Sequence, residues 1–142
     1  MSVVKLVAIF SENKLGQLER VTHLLATAGI NIQWVAIATT ESFGVIKLLV
    51  NPVDAAYQLL KKNGFTASLL EILAVEVQDK PGGLHFVADA FTRHQVNVQN
   101  ASGFVSNNRA VLLIEVKDIA QARAVAGKEG LRLLTQEEAV RL

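Results

Sequence analysis

The sequence contains no cysteine. That absence removes disulfides, thiolate nucleophiles and thiolate metal sites together. Long hydrophobic runs are missing as well, and nothing approaches the roughly 20 apolar residues needed to cross a bilayer. The opening stretch MSVVKLVAIF leads into SENK without a small-residue cleavage pattern, so it reads as a strand rather than a signal peptide. A cytoplasmic location and no membrane association are expected. An excess of charge of one sign is also lacking. Net charge is +1. Residues 1–70 carry six basic and four acidic side chains, and residues 71–142 carry eight and nine. No basic block stands out, so the electrostatic footprint of a nucleic-acid binder is missing.

What the chain has in quantity is apolar side chain. Hydrophobic residues make up 51% of 142 residues, and mean hydropathy is positive. A chain this small buries a modest fraction of its surface, so this surplus points to oligomerisation.

The chain also repeats itself. An offset of 66 residues aligns NKLGQL with DKPGGL and Ile30-Asn31-Ile32-Gln33 with Val96-Asn97-Val98-Gln99, without a gap. Across residues 5–70 and 71–136, 12 of 66 pairs are identical, and the identities fall in phase on glycine, asparagine and strand-like apolar blocks. Chance does not arrange that, so the sequence is a tandem repeat of units 1–70 and 71–142, the second with a short tail.

Each repeat reads as β-α-β-β-α-β. Residues 3–10 are β-branched and apolar, a buried strand. Leu15, Leu18, Val21, Leu24, Leu25 and Ala28 recur at helical spacing before Gly29. Strands follow over 30–40 and 45–50, then a helix over 53–63 with Asn51 as its cap and Pro52 in its first turn. Gly64 ends that helix, and 65–70 is a fourth strand. The second copy has strands over 72–78, 96–106, 109–116 and 131–134, and helices over 81–94 and from Asp118 to 128. In the tail, Thr135 and Glu138 have capping-box spacing. This order predicts an α+β fold of two ferredoxin-like βαββαβ repeats, each an antiparallel sheet with its helices on one face. The helix-free faces are expected to be apolar and to need a cover, which predicts a homodimer.

Catalytic and metal chemistry find no support in the motifs. The third strand of each copy, GVIKLLV or AVLLIEV, lacks the aromatics of an RNA-recognition module. No G-x-S-x-G is present, and KPGG is too short for a phosphate-binding loop. Arg20 lies within a helix, and its counterpart is Phe86, so the loop has no repeated phosphate-gripping arginine. His23, His85 and His94 do not form a metal set and read as solvated helix residues, with His85 and Asp89 as a surface ion pair. No metal, cofactor or enzymatic activity is expected.

The loop after the first strand, present twice, is the remaining candidate. Backbone N–H groups at a helix start lack intrahelical partners and suit a carboxylate. Gly16, Gly82 and Gly83 let a ligand reach that backbone. Asn13 and Asp79 can cap the helix or face an α-amino group. Asn31 and Asn97, polar among apolar neighbours, call for hydrogen-bond partners.

N-K-x-G-x-L with A-G-I-N-I, and D-K-P-G-G-L with V-N-V, resemble the ACT domain over nearly the whole chain in two tandem copies. FSENKLGQLERVTHLLATAGINI and FGVIKLLVNPVDAAYQLLKKNGF are especially similar to stand-alone bacterial tandem ACT proteins. The resemblance implies a non-catalytic regulatory module that binds a small amino acid between ACT units, often across a dimer interface, and reports to a partner enzyme or pathway. A ligand-free oligomerisation module of the same fold is the alternative. Carried over, the first site uses Asn13, Leu15, Gly16, Gln17 and Leu18 with Ile30, Asn31 and Ile32. The second uses Asp79, Pro81, Gly82, Gly83 and Leu84 with Val96, Asn97 and Val98. Leu15 stands where the family has proline, and Gln95 stands where a glycine normally precedes the V-N-V segment.

Overall fold

The computed structural model describes residues 2–142. Their elements run β1 (Val4–Glu12), α1 (Gln17–Thr27), β2 (Asn31–Thr39), β3 (Phe43–Asn51), α2 (Val53–Lys62), β4 (Thr66–Val77), α3 (Gly83–Arg93), β5 (Val98–Ser106), β6 (Arg109–Val116), α4 (Ile119–Lys128) and α5 (Gln136–Val140). Contacts divide them into Lys5–Leu70 and Glu71–Leu142, the latter with the first residues up to Val4. In the first unit β3 pairs antiparallel with both β1 and β2. In the second, β6 pairs antiparallel with both β4 and β5. The α+β class and the ferredoxin-like element order are as read from the sequence.

Several boundaries differ, each for a local reason. The strands expected over 65–70 and 72–78 form one strand, β4, because Glu71 alone interrupts the apolar run and neither Gly nor Pro breaks it. The strand expected over 131–134 shrinks to one bridge between Val75 and Leu133. Beside that bridge the Glu76 N–H donates to Arg132 O at 2.9 Å, and the Leu134 N–H donates to Ala74 O at 2.8 Å. Asn51 does not cap α2. It ends β3 opposite Asn31, and Pro52 is the capping residue, with no side-chain hydrogen bond. Leu15 lies outside α1 and is fully exposed. The remaining cap expectations hold. Asp118 accepts from the Gln121 N–H at 3.0 Å, and Thr135 and Glu138 form a reciprocal capping box.

Each unit packs its helices on its own strands. Val21 and Leu25 of α1 and Ala56 and Leu60 of α2 bury against Val7, Ile9, Ile46, Leu48 and Val50. Val87 and Phe91 of α3 and Ala122 and Val125 of α4 bury against Leu73, Val75 and Ile114. An 11-residue helix is marginal alone. Burying a Val or Leu side chain contributes about 1.5–3 kcal/mol, so these contacts, more than propensity, hold the helices.

The edge strands depart from simple alternation. Ile32 pairs with Val50 but Trp34 pairs with Leu49, so Gln33 is the extra residue of a bulge. Val98 and Asn100 flank the same irregularity at Gln99. A bulge reverses which side chains share a face. Trp34 and Ile32, expected on one face, therefore lie on opposite ones. Val35 and Ile37 pair with the core residues Leu48 and Ile46, which places them on the helix-bearing face. They stay 45% and 47% exposed there. Leu6, Ala8 and Leu49, on the helix-free face expected to be bare, are buried within the single chain. Exposed apolar side chains thus include Leu18 and Leu84 on the helices and Val35, Ile37 and Val105 on the edge strands, with Phe10, Leu15, Phe43, Phe86 and Val98 besides. No helix among the described residues is long and apolar enough to cross a membrane.

Gln95 shows what the departure from glycine does. Its φ is 59°, matching the 75° of Gly29 at the same place in the first copy. A left-handed non-glycine residue carries about 1–2 kcal/mol of strain. Gln95→Gly is expected to raise stability by a net ~0.5–1 kcal/mol after glycine's larger chain entropy. A urea midpoint shifted upward at unchanged slope is the expected signature.

Candidate functional site

The two repeated loops are built alike. Strand β1 or β4 ends, the chain turns through Asn13-Lys14-Leu15 or Gln78-Asp79-Lys80-Pro81, and a glycine in the left-handed region starts the helix. Gly16 has φ 88° and Gly82 has φ 87°. Both are the N-cap residues of their helices, and neither helix has a side-chain cap. Asn13 and Asp79 therefore do not cap. The Asn13 amide instead donates to Thr40 O at 3.0 Å, tying the loop to the end of the β2–β3 hairpin. The first backbone bonds inside these helices are Arg20 N–H to Gly16 O and Phe86 N–H to Gly82 O, both 3.0 Å. The N–H groups of Leu18 and Glu19, and of Leu84 and His85, precede them and have no partner among the described residues.

Gly83 serves a different purpose from Gly82. A Cβ at Gly83 would stand 1.9 Å from the Gln78 carbonyl oxygen, whereas a Cβ at Gly82 would meet nothing within 4 Å. Gly83 lets α3 start against the end of β4. Gly82 supplies the backbone turn and faces open space.

Beside the second loop lies a cleft of about 810 Å³ that takes in Asp79, Pro81, Gly82 and Gly83. Its other wall holds Glu76, Arg109 and Arg132. Arg109 Nε donates to Glu76 Oε1 at 2.8 Å, and Arg132 Nε lies 3.1 Å from Glu76 Oε2. Arg132 Nη2 also donates to Glu138 Oε2 of α5 at 2.8 Å. The hydrogen bond from Arg109, with the charges of Arg109 and Arg132, holds the Glu76 carboxyl below its ordinary value against the opposing effect of burial. Glu138 is lowered chiefly by the Thr135 backbone N–H and then by Arg132. Sequence reasoning missed this chain of charges. Its only trace there is Arg109 and Arg132 flanking the strand-like segments of the second copy.

Around the first loop the space is divided. One cleft of about 180 Å³ is lined by Asn13, Gly16, Gln17 and Leu18 together with Ile37 and Thr39. Another of about 270 Å³ holds Lys14, Gln17 and Arg20 beside Phe10 and Thr66. Leu84, expected at the second loop, lines an apolar groove of about 590 Å³ with Val98, Gly103 and Val105. Gly103 stands where the first copy has Ile37, whose side chain lines the smaller cleft.

The remaining expected residues are not brought to the loops within a unit. Ile30 and Ile32 pack on the first core, and Val96 is buried in the second. Asn31 and Asn97 are exposed, so the amides expected to need protein partners are open to solvent. The start of β2 lies opposite the end of β3, whereas the far end of β2, at Ile37 and Thr39, borders the first loop.

The histidine expectations change in detail. Asp89 pairs with Arg93 at 2.8 Å, not with His85 as a bonded partner. His94 is half-buried, with Nε2 2.9 Å from Glu129 Oε1, and Arg93 Nη1 reaches the same oxygen at 2.5 Å. Among the described residues no group of three or more His, Asp or Glu stands close enough to hold a metal ion.

Comparison with known proteins places this geometry. A family model described as an ACT domain pair matches residues 1–142. The crystal structure of protein BT0572 from Bacteroides thetaiotaomicron is 29% identical, with a TM-score of 0.93 over 99% of this chain and 98% of that one. The regulatory subunit of aspartate kinase from Thermus thermophilus, in its ligand-free form, is 16% identical with a TM-score of 0.61, over 88% of this chain and 91% of that one. The corresponding Thermus flavus subunit is 12% identical with a TM-score of 0.55, covering 92% and 97%. No curated protein matches the chain.

The charge chain Arg109–Glu76–Arg132–Glu138 gives a prediction with a definite sign. Both carboxyl groups are depressed below the ordinary glutamate value, so their contribution is present above that value and lost as pH falls through the folded values. Acid melting curves of the wild type and Glu76→Gln are expected to differ at pH 7 and to converge as pH falls through the depressed folded value of Glu76. Parallel curves at every pH would remove the ionic role of Glu76.

Proposed function

The chain belongs to the ACT domain pair family, and on that premise we propose that it is a cytoplasmic, non-catalytic regulatory module that binds a small amino acid and signals to a partner enzyme or pathway. The observation that carries this reading is the repeated loop. Twice, at one offset, a left-handed glycine starts a helix whose leading N–H groups have neither a side-chain cap nor another partner. Elsewhere in the same chain α4 and α5 have side-chain caps from Asp118 and Thr135. Uncapped N–H groups at the positive end of a helix suit an α-carboxylate, and Asp79 is free to meet an α-ammonium. The regulatory subunits among the structural neighbours share the fold and support a regulatory role.

We read the exposed apolar side chains at Val35, Ile37, Leu84 and Val105 as a surface for a second copy, giving a homodimer. Asn31, Ile32, Asn97 and Val98 would approach a loop from such a neighbour. That arrangement fits a ligand held between units.

A melting-shift panel of the proteinogenic amino acids at millimolar concentration tests the reading. Ligand at about 100 times its Kd adds roughly 2.7 kcal/mol, so at least one amino acid is expected to raise Tm by several degrees. Gly82→Asn keeps the left-handed backbone, which asparagine tolerates, while placing a side chain in the cleft. It is expected to abolish the shift from the second site and keep the fold. A panel with no shift, alongside a stable dimer by light scattering, would leave only the oligomerisation role.

A further inference from the structure

The cleft beside the second loop and the larger of the two beside the first are both richer in cations than in anions, but they reach that balance with different residues. Lys14 and Lys80 occupy equivalent positions in the repeat, and each lines its cleft. In the first copy the added cation is Arg20, from the first turn of α1. Its counterpart in the second copy is Phe86. There the cations are Arg109 and Arg132, and at their counterparts the first copy has Phe43 and Thr66. Two non-equivalent sets of side chains thus give each cleft a cationic lining, two basic and no acidic residues in the first and three basic and two acidic in the second.

The second cleft shows what that result is for. Glu76 engages both guanidiniums, one on each carboxylate oxygen, which orients them and leaves Glu76 poorly placed to receive a cationic ligand. Arg109 uses only Nε in that contact, and its terminal nitrogens have no partner among the described residues. The Lys80 ammonium likewise has none. Charged lining residues number three basic and two acidic, and Glu138 beyond the lining holds Arg132, so the groups left to meet an occupant's anion are the terminal nitrogens of Arg109 and the Lys80 ammonium. A neutral side chain would leave these donors unmet, and a basic one would be repelled by them.

We infer that the ligand of these clefts is an acidic amino acid, aspartate or glutamate, whose side-chain carboxylate is read by Arg109 with Lys80 in the second copy and by Arg20 with Lys14 in the first. This rests on the amino-acid-binding reading above and narrows it to a dicarboxylate. The α-carboxylate faces the uncapped start of the helix, and the second carboxylate distinguishes the ligand from its amide. Arg109 is a specificity residue in this account, and Glu76 positions it.

Isothermal titration of the full chain with L-glutamate, L-aspartate, L-glutamine and L-asparagine tests the inference. The acids are expected to bind at least tenfold more tightly than the matching amides. Arg109→Gln with Arg20→Gln is expected to weaken the acids about tenfold while leaving the weaker amide binding unchanged, and lysine at both positions is expected to restore part of the preference. Melting of the variants in the absence of ligand, lowered no further than by Glu76→Gln, separates recognition from folding. Equal affinity for acid and amide, or acid binding indifferent to both variants, would overturn the inference while leaving amino-acid binding in place. Binding of other amino acids but of neither acid would do the same. Silence across all amino acids would remove the broader reading as well.

Discussion

Two glycines in a left-handed conformation, Gly16 and Gly82, are the constraint on which the candidate sites depend. A strand that ends at the edge of a helix must reverse direction within a few residues. A residue at φ near 88° makes that turn and leaves the following N–H groups without a side-chain cap. A serine or aspartate at the same position would turn the chain differently and consume one of those N–H groups itself. The chain uses that second solution at Asp118 and Thr135, where α4 and α5 begin with their own side-chain caps. Helix α2 also lacks a side-chain cap, but it starts from an extended Pro52, so the left-handed glycine start is what the two repeated loops share.

Around this shared device the two copies have diverged. Gly83 presses against the Gln78 carbonyl in the second loop, where the first has Gln17, whose side chain accepts a hydrogen bond from Arg20. Ile37 lines the space beside the first loop, and Gly103 leaves the matching groove open in the second. Phe10 and Phe43 occupy the positions that become Glu76 and Arg109. The second copy is therefore the roomier and more charged, and through Arg132 and Glu138 its cleft is joined to the C-terminal helix.

Much of the fold was legible because periodicity and punctuation agreed. The 66-residue offset, the helical stripes and the glycines after α1, α2 and α4 each indicated the same β-α-β-β-α-β order. Three features were not legible. The bulges at Gln33 and Gln99 reverse the facing of the edge strands, and the sequence carries no bulge signal beyond the repeated glutamine. The burial of Leu6 and Leu49 depends on packing that one strand's pattern does not report. The Glu76–Arg109–Arg132 contacts join residues more than 20 positions apart on three segments, which no local spacing encodes. The glycine loops were visible as motifs. Their uncapped state was not, because Asn13 and Asp79 are good capping residues placed just too early in the chain.

The central claim is that the bare N–H groups behind Gly16 and Gly82 receive a ligand carboxylate. Amide chemical shifts of the 15N-labelled full chain, followed during titration with an amino acid that binds, test it most directly. The account predicts that the Leu84 and His85 amides, or Leu18 and Glu19 in the first copy, show the largest downfield proton shifts and saturate with the binding curve. Saturable binding that leaves all four amides unmoved would contradict it.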